Sequence, residues 1–452
     1  MTTGYPDVPS IFPGETLFFH VSTDAPQLRI ELYRQGATLE LQARSPWFPG
    51  RRSPDLAPWE DWSTSFTAQP FPIPDGARPG VYIAMFIEGD EDGNELKSQQ
   101  IDRSIADGRD SKALFVLRNP CPGDGATILC KLSFFTYCAY NAAGDPGGSL
   151  YTGSRRKVTF HRPGNGTGGT PFDAFAVDVH DRTSPRQTFA HWDEKMIRWL
   201  EGEGDGYSVD YATDLDVHRN DGDFLSAYAL VLSVGHDEYW SARLRANLET
   251  FVAEGGNLAL FSGNVCWWRV TVEDDETAIA VDKTVRPGET VAPGHWYPAL
   301  PENTITGVSY RNAGGQWNGP RPSGGGYTVR RSQSWVFAGT GLDDGDVFGE
   351  KVAVVGYECD GAAFTIGPCG LPAPTGEDGT PLDFVIVATS SVAGWEGAEI
   401  GALASATMGY HEKGGTVFTA ATTDWPRALE QGDPAVARIT RNVIERLSRR
   451  RA

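Results

Sequence analysis

Apolar residues recur at every second position in the first quarter of the chain. The pattern is clearest in 17–21 and 28–32, and further apolar stretches occupy 81–87 and 114–117. Pro-Gly pairs, which favour turns, precede two of these stretches. Because short strands separated by turns are typical of two packed sheets, residues 1–118 are predicted to form an immunoglobulin-like β-sandwich domain.

Beyond this part the pattern changes to continuous apolar runs that alternate with helical periodicity. Residues 229–234 are almost entirely apolar, as in a strand that is covered on both faces. A helical pattern follows in 241–254, and a glycine pair ends it before the next apolar run, 258–261. Strand, helix and strand in this order indicate a parallel sheet, so residues 119–452 are predicted to form a doubly wound α/β domain.

Three segments depart from these patterns. The stretch from about 276 to 405 is rich in Gly, Pro and short apolar runs, and is predicted to be a β-rich insertion in the α/β domain. Residues 37–75 contain three tryptophans but little periodicity, which predicts a loop packed on a neighbouring domain. The glycine cluster at 164–169 lacks the Lys-Ser/Thr pair of a P-loop and is predicted to be a flexible loop.

Charge and composition narrow the range of partners. The 452-residue chain has a net charge of −20, a field that repels phosphate and argues against nucleic acid and anionic membranes as partners. No apolar run has transmembrane length, and the first residues lack the basic and apolar parts of a signal peptide, which predicts a cytoplasmic protein. Six cysteines without a C-x-x-C pair argue against a disulfide framework and a cysteine zinc site.

Polar residues follow the apolar runs at the points where an α/β sheet binds its ligands, beyond the carboxyl ends of its strands. The first such segment, 235–240, contains His236 and Glu238 between a predicted strand and a predicted helix. A base and a carboxylate on one short turn favour an active site. The alternative is helix capping, with Asp237 as the N-cap and Glu238 near the positive end of the helix dipole, but capping does not need His236.

Three further segments end apolar runs in the same way. Asn264 follows the second run as a candidate hydrogen-bond donor, with an ordinary turn as the equal alternative. Residues 422–425 precede a proline and are interpreted as another helix cap. Residues 136–141 contain two tyrosines, and Tyr151 comes soon after, although tyrosines alone favour a packing role.

These segments carry a resemblance that spans nearly the whole chain. The stretch from Leu230 to Trp268 contains Gly-His-Asp-Glu-Tyr-Trp and Phe-Ser-Gly-Asn-Val-Cys-Trp-Trp, and it resembles the large (β) subunit of N,N-dimethylformamidase and its relatives. Shorter motifs match at 13–16, 19–22, 29–34, 136–141, 356–360 and 423–425. The resemblance implies a class I glutamine-amidotransferase-like α/β domain preceded by an immunoglobulin-like domain.

The resemblance also implies a mononuclear iron site that hydrolyses a small amide. By position, Glu238 matches the glutamate ligand, and Tyr140 and Tyr151 match two tyrosinate ligands, with Tyr137 as the alternative to Tyr140. Three anionic oxygen ligands suit Fe(III) better than zinc, and only a strong cation keeps a tyrosine deprotonated at neutral pH. The implied partners are the small amide and either a small subunit or further copies of the chain.

Three other residues are expected to be catalytic. His236 matches a histidine beside the glutamate ligand, and would move a proton between water and the leaving amine. Asn264 matches an active-site asparagine and would stabilise the developing oxyanion. Glu358, within the motif 356–360, would orient the imidazole of His236.

Two other functions compete with this interpretation. The first is nucleophilic catalysis of the glutamine-amidotransferase kind, but Ser262 stands where a cysteine would be needed, and Cys266 is predicted to be a buried packing residue. The second is a non-catalytic protein that binds carbohydrate or another ligand on the same scaffold, which the β-rich parts and 13 tryptophans would suit. Iron content separates this second function from an iron-dependent amidase.

Overall fold

The computed structural model describes residues 2–96, 111–143, 148–151, 156–164, 184, 186, 188–202, 206–315, 325–393 and 403–449. Across these residues the protein has a mixed α/β fold in which sheets predominate. The glycine cluster predicted as a loop falls, beyond Gly164, outside the described residues. Within the described part of the chain, no helix combines the length and the apolar character needed to span a bilayer.

Short strands build the N-terminal part of the protein. They are β1 (Thr3–Pro6), β2 (Ser10–Ile11), β3 (Thr16–Ser22), β4 (Gln27–Gln35), β5 (Leu39–Arg44), β6 (Phe48–Pro49), β7 (Thr67–Pro72), β8 (Gly80–Gly89) and β9 (Lys112–Leu117). Among the described residues, one sheet has the order β1-β3-β7, and a larger sheet has the order β2-β9-β8-β4-β5, with β6 also paired to β4.

The prediction of a loop over about 37–75 was wrong where this stretch forms β5, β6 and β7, whereas residues 50–61 contain neither helix nor strand. Strand β5 lies at the edge of its sheet and is largely exposed, so no apolar alternation marks it. Strand β7 contains two prolines, which are tolerated because it too is an edge strand. Each strand forms by pairing with a neighbouring strand, and the local sequence pattern does not indicate this pairing.

The two N-terminal sheets pack face to face. The ring of Phe19 lies 6.3 Å from that of Phe71 in its own sheet, and 5.9 Å from the rings of Phe86 and Phe115 in the other sheet. The remaining face of the larger sheet is buried as well, since every residue of β8 is buried. The immunoglobulin-like topology and a domain boundary near residue 118 stay predictions.

Helices and strands alternate in the next part of the chain. These are β10 (Ile128–Leu132), α1 (Phe134–Tyr140), β11 (Lys157–Thr159), α2 (Asp193–Gly202), β12 (Val209–Thr213), α3 (Asp214–Arg219), β13 (Leu230–His236), β14 (Tyr239–Ser241), α4 (Ala242–Ala253) and β15 (Asn257–Gly263). Short 3-10 helices span Trp62–Thr64, Phe189–His191, Asp221–Ala227 and Trp335–Phe337.

The rest of the chain is mostly strand until its last two helices. Its elements are β16 (Trp268–Glu273), β17 (Ala278–Ala280), α5 (Asn303–Thr306), β18 (Ser309–Gly315), β19 (Tyr327–Val329), β20 (Val347–Phe348), β21 (Glu358–Gly361), β22 (Phe364–Ile366), β23 (Pro372–Pro374), β24 (Val385–Ala393), β25 (Leu403–Lys413), β26 (Gly415–Thr419), α6 (Trp425–Glu430) and α7 (Pro434–Leu447).

Within the described residues, nine strands form the main sheet in the order β12-β10-β13-β15-β26-β25-β24-β19-β20. The pairs from β12 to β26 are parallel, and those from β26 to β20 are antiparallel. The region 276–405 is β-rich, as predicted. Strands β19, β20 and β24 from this region extend the main sheet, and the division of the domain by an insertion stays a prediction.

Strand β13 lies inside the parallel part of the sheet, as predicted for 229–234. It pairs with β10 on one side and β15 on the other, and all seven of its residues are buried. Side chains alternate between the faces: Leu232 belongs to the same core as α2 and α7, whereas Val231 belongs to the core that contains α4. Helices therefore cover both faces of the sheet around this strand.

Candidate active site

The carboxyl ends of β10, β13, β15 and β26 meet at one edge of the sheet because these strands are parallel. His236 is the last residue of β13, and Glu238 follows it in the turn to β14. Asn264 directly follows β15, and Tyr140 ends α1, the helix that follows β10. Glu358 begins β21. Residues that are distant in sequence are therefore brought to one edge by the sheet.

The end of β13 requires glycine at position 235. Gly235 has a φ angle of +66°, and a Cβ atom there would lie 2.4 Å from the Cβ atom of Trp192. A residue with a side chain would have to adopt an unfavourable left-handed backbone conformation, and its Cβ atom would also clash with Trp192. The ring of Trp192 also packs edge-on against the imidazole of His236, with 5.6 Å between centroids. The close packing thus fixes where His236 leaves the strand.

Asp237 does not cap a helix, contrary to the capping interpretation of the sequence. The residues after it form β14, which pairs with β16, and α4 begins only after Ser241. Asp237 instead accepts hydrogen bonds from Lys131 at 2.9 Å and from the Ser233 hydroxyl at 2.5 Å. The capping interpretation failed because the pairing of β14 with β16 is long-range and leaves no local signal.

Lys131 on β10 is a buried cation beneath this turn. Its ammonium group donates to Asp214 at 2.5 Å and to Asp237 at 2.9 Å, and none of the three side chains is exposed. Burial alone would lower the pKa of Lys131, but the two carboxylates raise it above its ordinary value. Asp214 also accepts a main-chain N–H from the first turn of α1. One ion cluster therefore holds both the turn with Glu238 and the helix with Tyr140.

His236 lies between two glutamates. Its Nε2 atom is 2.7 Å from Oε2 of Glu358 and 3.5 Å from Oε2 of Glu238. The side-chain amide of Asn264 donates to the same Glu358 oxygen at 3.2 Å, and its nitrogen is 3.4 Å from Nε2 of His236. The four side chains are buried. An imidazole in these surroundings can gain or lose a proton next to groups that accept or donate hydrogen bonds.

Tyr140 and Tyr151 lie together beside this cluster. Their rings are stacked with 5.1 Å between centroids, and the ring of Tyr140 lies 5.3 Å from that of His236. Glu238 lies close enough to Tyr140 for its charge to raise the pKa of the phenol. The side chain of Tyr151 is 46% exposed, so the site opens to solvent on this side.

Three side chains that were considered as alternatives have other surroundings. Tyr137 donates its hydroxyl group to Asp193, on the face of the sheet that α2 covers. Cys266 is fully buried, as predicted, and burial raises the pKa of its thiol above the ordinary value. A buried thiol of raised pKa is a poor nucleophile. The Ser262 hydroxyl is also buried and lies 2.9 Å from that of Ser233.

Lys283, just beyond β17, is a site residue that the sequence did not reveal. Its ammonium group donates to the Tyr239 hydroxyl at 2.5 Å and lies 4.3 Å above the ring of Trp268 and 5.7 Å from that of Tyr151. Burial lowers the pKa of Lys283 to about 8, although the nearby Glu238 opposes this shift. No motif or periodicity surrounds Lys283, so only the fold could identify it.

Burial dominates the electrostatics of the site. It raises the pKa of Glu238, although the nearby His236 and Lys283 lower it. It also raises the pKa of the Tyr140 phenol well above its ordinary value, and the charges of Glu238 and Glu358 add to that rise. These surroundings favour a neutral phenol, so a tyrosinate at this position requires a strong cation.

The donor atoms fit a hard metal ion bound through oxygen. The Oε2 atom of Glu238 is buried and has no hydrogen-bond partner in the described part of the chain, and the phenol of Tyr140 lies next to this carboxylate. Among the described residues, no group of three or more His, Cys, Asp or Glu side chains is arranged to hold a metal. A metal here would therefore depend on the phenolic oxygens of Tyr140 and Tyr151, and phenolate and carboxylate oxygens suit a hard cation.

Known proteins share this sequence pattern. The profile of the family described as "N,N-dimethylformamidase beta subunit-like, C-terminal" matches residues 33–438. The chain is 25% identical over 146 residues to the N,N-dimethylformamidase beta subunit of Paracoccus aminophilus. It has the same identity over the same length to the N,N-dimethylformamidase beta subunit of an Alcaligenes species.

Both relatives are much longer than the stretch they share with this chain. The matched segment covers 32% of the chain and 17% of each relative. The chain therefore matches only a small part of the length of these curated relatives, whose names describe them as subunits of an enzyme.

Proposed function

Because this chain belongs to the N,N-dimethylformamidase beta subunit-like family, we propose that it is an amidohydrolase that acts on the C–N bond of a small linear amide. The observation that carries the proposal is the buried cluster around His236. There the side chains of a histidine, two glutamates and an asparagine each have a polar atom within 3.5 Å of another member of the cluster. The cluster lies at the edge of the sheet where α/β proteins bind their ligands. This set can move a proton and stabilise a developing negative charge.

The proposal includes a single Fe(III) ion held by Tyr140, Tyr151 and Glu238. The unpartnered carboxylate oxygen of Glu238 and the stacked tyrosine rings support this donor set. When bound, such an ion supplies Lewis acidity, which polarises a carbonyl group and lowers the pKa of water. The raised pKa of Tyr140 means that this side chain would lose its proton only as the ion binds.

His236 would act as the general base and then as the general acid. The pair of His236 and Glu358, which share a hydrogen across 2.7 Å, would take a proton from the attacking water and later give it to the leaving amine. Glu358, at 2.7 Å, would hold the imidazole in place and stabilise its protonated form. The amide nitrogen of Asn264, at 3.4 Å from Nε2, would donate to the oxygen that becomes negative in the tetrahedral intermediate.

Two further parts of the proposal concern assembly and fold. The relatives are named as beta subunits, and we propose that this chain too works with a small subunit or with further copies of itself. The parallel strands with helices on both faces support a class I glutamine-amidotransferase-like domain. The two packed N-terminal sheets support an immunoglobulin-like domain before it.

The test is to measure iron content and amine release from a panel of short amides with the purified protein. We expect close to one iron per chain and hydrolysis of at least one amide. Glu238→Ala should lose both, because it removes the carboxylate ligand. Glu249→Gln changes a glutamate on α4 that pairs with Arg245 and is 29% exposed, and it should keep both.

Each alternative outcome has a distinct meaning. A wild-type protein that contains no iron and hydrolyses nothing would favour a non-catalytic protein that binds carbohydrate or another ligand. Hydrolysis without metal, insensitive to chelators, would refute the iron site and leave the amidohydrolase standing.

A further inference from the structure

A buried carboxylate holds the main chain of the turn that carries Asn264. The N–H of Asn264 donates to Oδ1 of Asp360 at 2.9 Å, and the N–H of Val265 donates to Oδ2 at 3.2 Å. We propose that Asp360 is a positioning residue, which fixes this turn so that the side chain of Asn264 reaches His236 and Glu358. This inference rests on the proposed function, because it assigns a role within the same site.

The turn has a backbone conformation that needs such support. Asn264 has a φ angle of +51° and Cys266 one of +58°, a left-handed region that residues with a side chain seldom adopt. Two successive N–H groups that point to one side form a concave site for an anion. In this protein the carboxyl group of Asp360 occupies that concave site, where burial raises its pKa to about 8 and the two N–H groups oppose this rise.

The same strand presents a second residue to the cluster. Glu358 and Asp360 are two positions apart on β21, so their side chains leave the same face of the strand. Glu358 meets His236 at 2.7 Å, while Asp360 meets the turn of Asn264. A single short strand therefore sets the contact between histidine and glutamate and the orientation of the asparagine amide.

Strand β21 is in turn fixed to the segment that follows β26. The N–H of Asp360 donates to the carbonyl of Ala421 at 3.1 Å, and the N–H of Thr423 donates to the carbonyl of Glu358 at 3.0 Å. Gly263 allows these segments to approach, because a Cβ atom there would lie 2.6 Å from the Thr423 nitrogen and 2.7 Å from the Glu358 carbonyl oxygen. Asp360 thus fixes the position of the Asn264 turn relative to this edge of the sheet.

The experiment measures the effect of Asp360→Asn in two backgrounds, the wild-type protein and the Asn264→Ala variant. Asparagine keeps the shape and one acceptor oxygen but loses the second acceptor. We expect kcat for the amide that wild type hydrolyses to fall about 10- to 100-fold, with a smaller change in KM, because a small misplacement of a catalytic group has effects of this size. In an Asn264→Ala background the same change should lower kcat by less than about 2-fold, since coupled residues are not additive.

The matched control is Asp378→Asn. Asp378 also accepts main-chain N–H groups, from Ala363 at 2.8 Å and Thr380 at 3.0 Å, but it lies outside the cluster. This variant should keep the wild-type kcat.

Hydrogen exchange provides a reading that does not depend on activity. In wild type the amides of Asn264 and Val265 should exchange as slowly as those of β15, and Asp360→Asn should make them exchange faster. The wild-type measurement needs no variant, so it shows whether these two amides are protected even if Asp360→Asn does not fold.

Three results would overturn the proposal: an unchanged kcat in Asp360→Asn, an equal fall in both backgrounds, or unprotected amides at Asn264 and Val265 in wild type. A wild-type protein that hydrolyses no amide would refute the proposed function instead. In that case amide exchange alone decides whether Asp360 holds the turn.

Discussion

At the scale of single residues, His236 and Glu238 leave the same turn but have different expected roles. His236→Ala should lower kcat about 10²- to 10⁴-fold, the usual contribution of a general base, and should leave the iron content close to that of wild type. The measurements are amine release and iron per chain in the same preparation. His161→Ala, which changes a histidine that pairs with Asp61, should affect neither.

The opposite result would reassign His236. If His236→Ala loses iron as completely as Glu238→Ala, then His236 is a ligand, and the division of roles between the two residues is wrong.

The sequence could predict some residues of the site and not others, for a physical reason. His236 and Asn264 each follow an apolar run, and a run of this kind marks a buried strand whose end meets ligands. Lys283 follows no such run. It belongs to the site because the fold buries it against Tyr239 and Trp268. Asp360 could be recognised only as part of a motif, since its partners are main-chain atoms of a turn distant in sequence.

At the scale of elements, Ser241 rather than Asp237 caps α4. The hydroxyl of Ser241 accepts the N–H of Leu244 at 3.0 Å and lies 2.7 Å from Nδ1 of His218. Ser241→Ala should therefore lower the free energy of unfolding by about 1 kcal/mol, the usual cost of losing an N-cap. Urea unfolding measures the change. Ser226→Ala, at an exposed serine, is the control and should stay within about 0.5 kcal/mol of wild type. An unchanged midpoint in Ser241→Ala would contradict the capping role.

The strands that extend the main sheet show what a local sequence pattern cannot predict. The helix 241–254 and the strand 229–234 were predicted closely, because periodicity and terminal residues determine them within a few turns of chain. Strand β24 begins with the apolar run 385–388, but its place in the main sheet depends on pairing with β25 and β19. Pairing of this kind depends on which faces become buried, and the sequence of one strand does not contain that information.

At the scale of the whole molecule, the larger N-terminal sheet and the α/β layer share one core. Val81 and Ile83 of β8 belong to the same buried cluster as Leu200 of α2. Arg34 of β4 donates to both carboxylate oxygens of Glu201 at 2.8 and 2.9 Å, and both side chains are largely buried. The change of sequence pattern near residue 118 therefore marks a change of architecture and not a break in packing. Because β8 is buried on both faces, it is apolar at nearly every position.

Buried carboxyl groups in this shared core make stability depend on pH. Burial raises the pKa of Asp193 to about 7, although the hydroxyl of Tyr137 and the charge of Lys131 oppose the shift. In the unfolded chain this pKa is about 3.9. Between about pH 4 and pH 7 the folded protein keeps a proton that the unfolded chain has released, so rising pH favours unfolding. The free energy of unfolding should fall by up to about 1.4 kcal/mol per pH unit from this group alone.

Asp193→Asn should flatten this dependence, because asparagine does not titrate and still offers an oxygen to Tyr137. Urea unfolding at pH 5, 6 and 7 measures the slope directly. Asp274→Asn, which changes a carboxylate that is 49% exposed and paired with Lys157, is the control and should leave the slope as it is in wild type. If the slopes of Asp193→Asn and wild type coincide, Asp193 is already ionised in the folded protein, and its interaction with Lys131 rather than burial determines its charge.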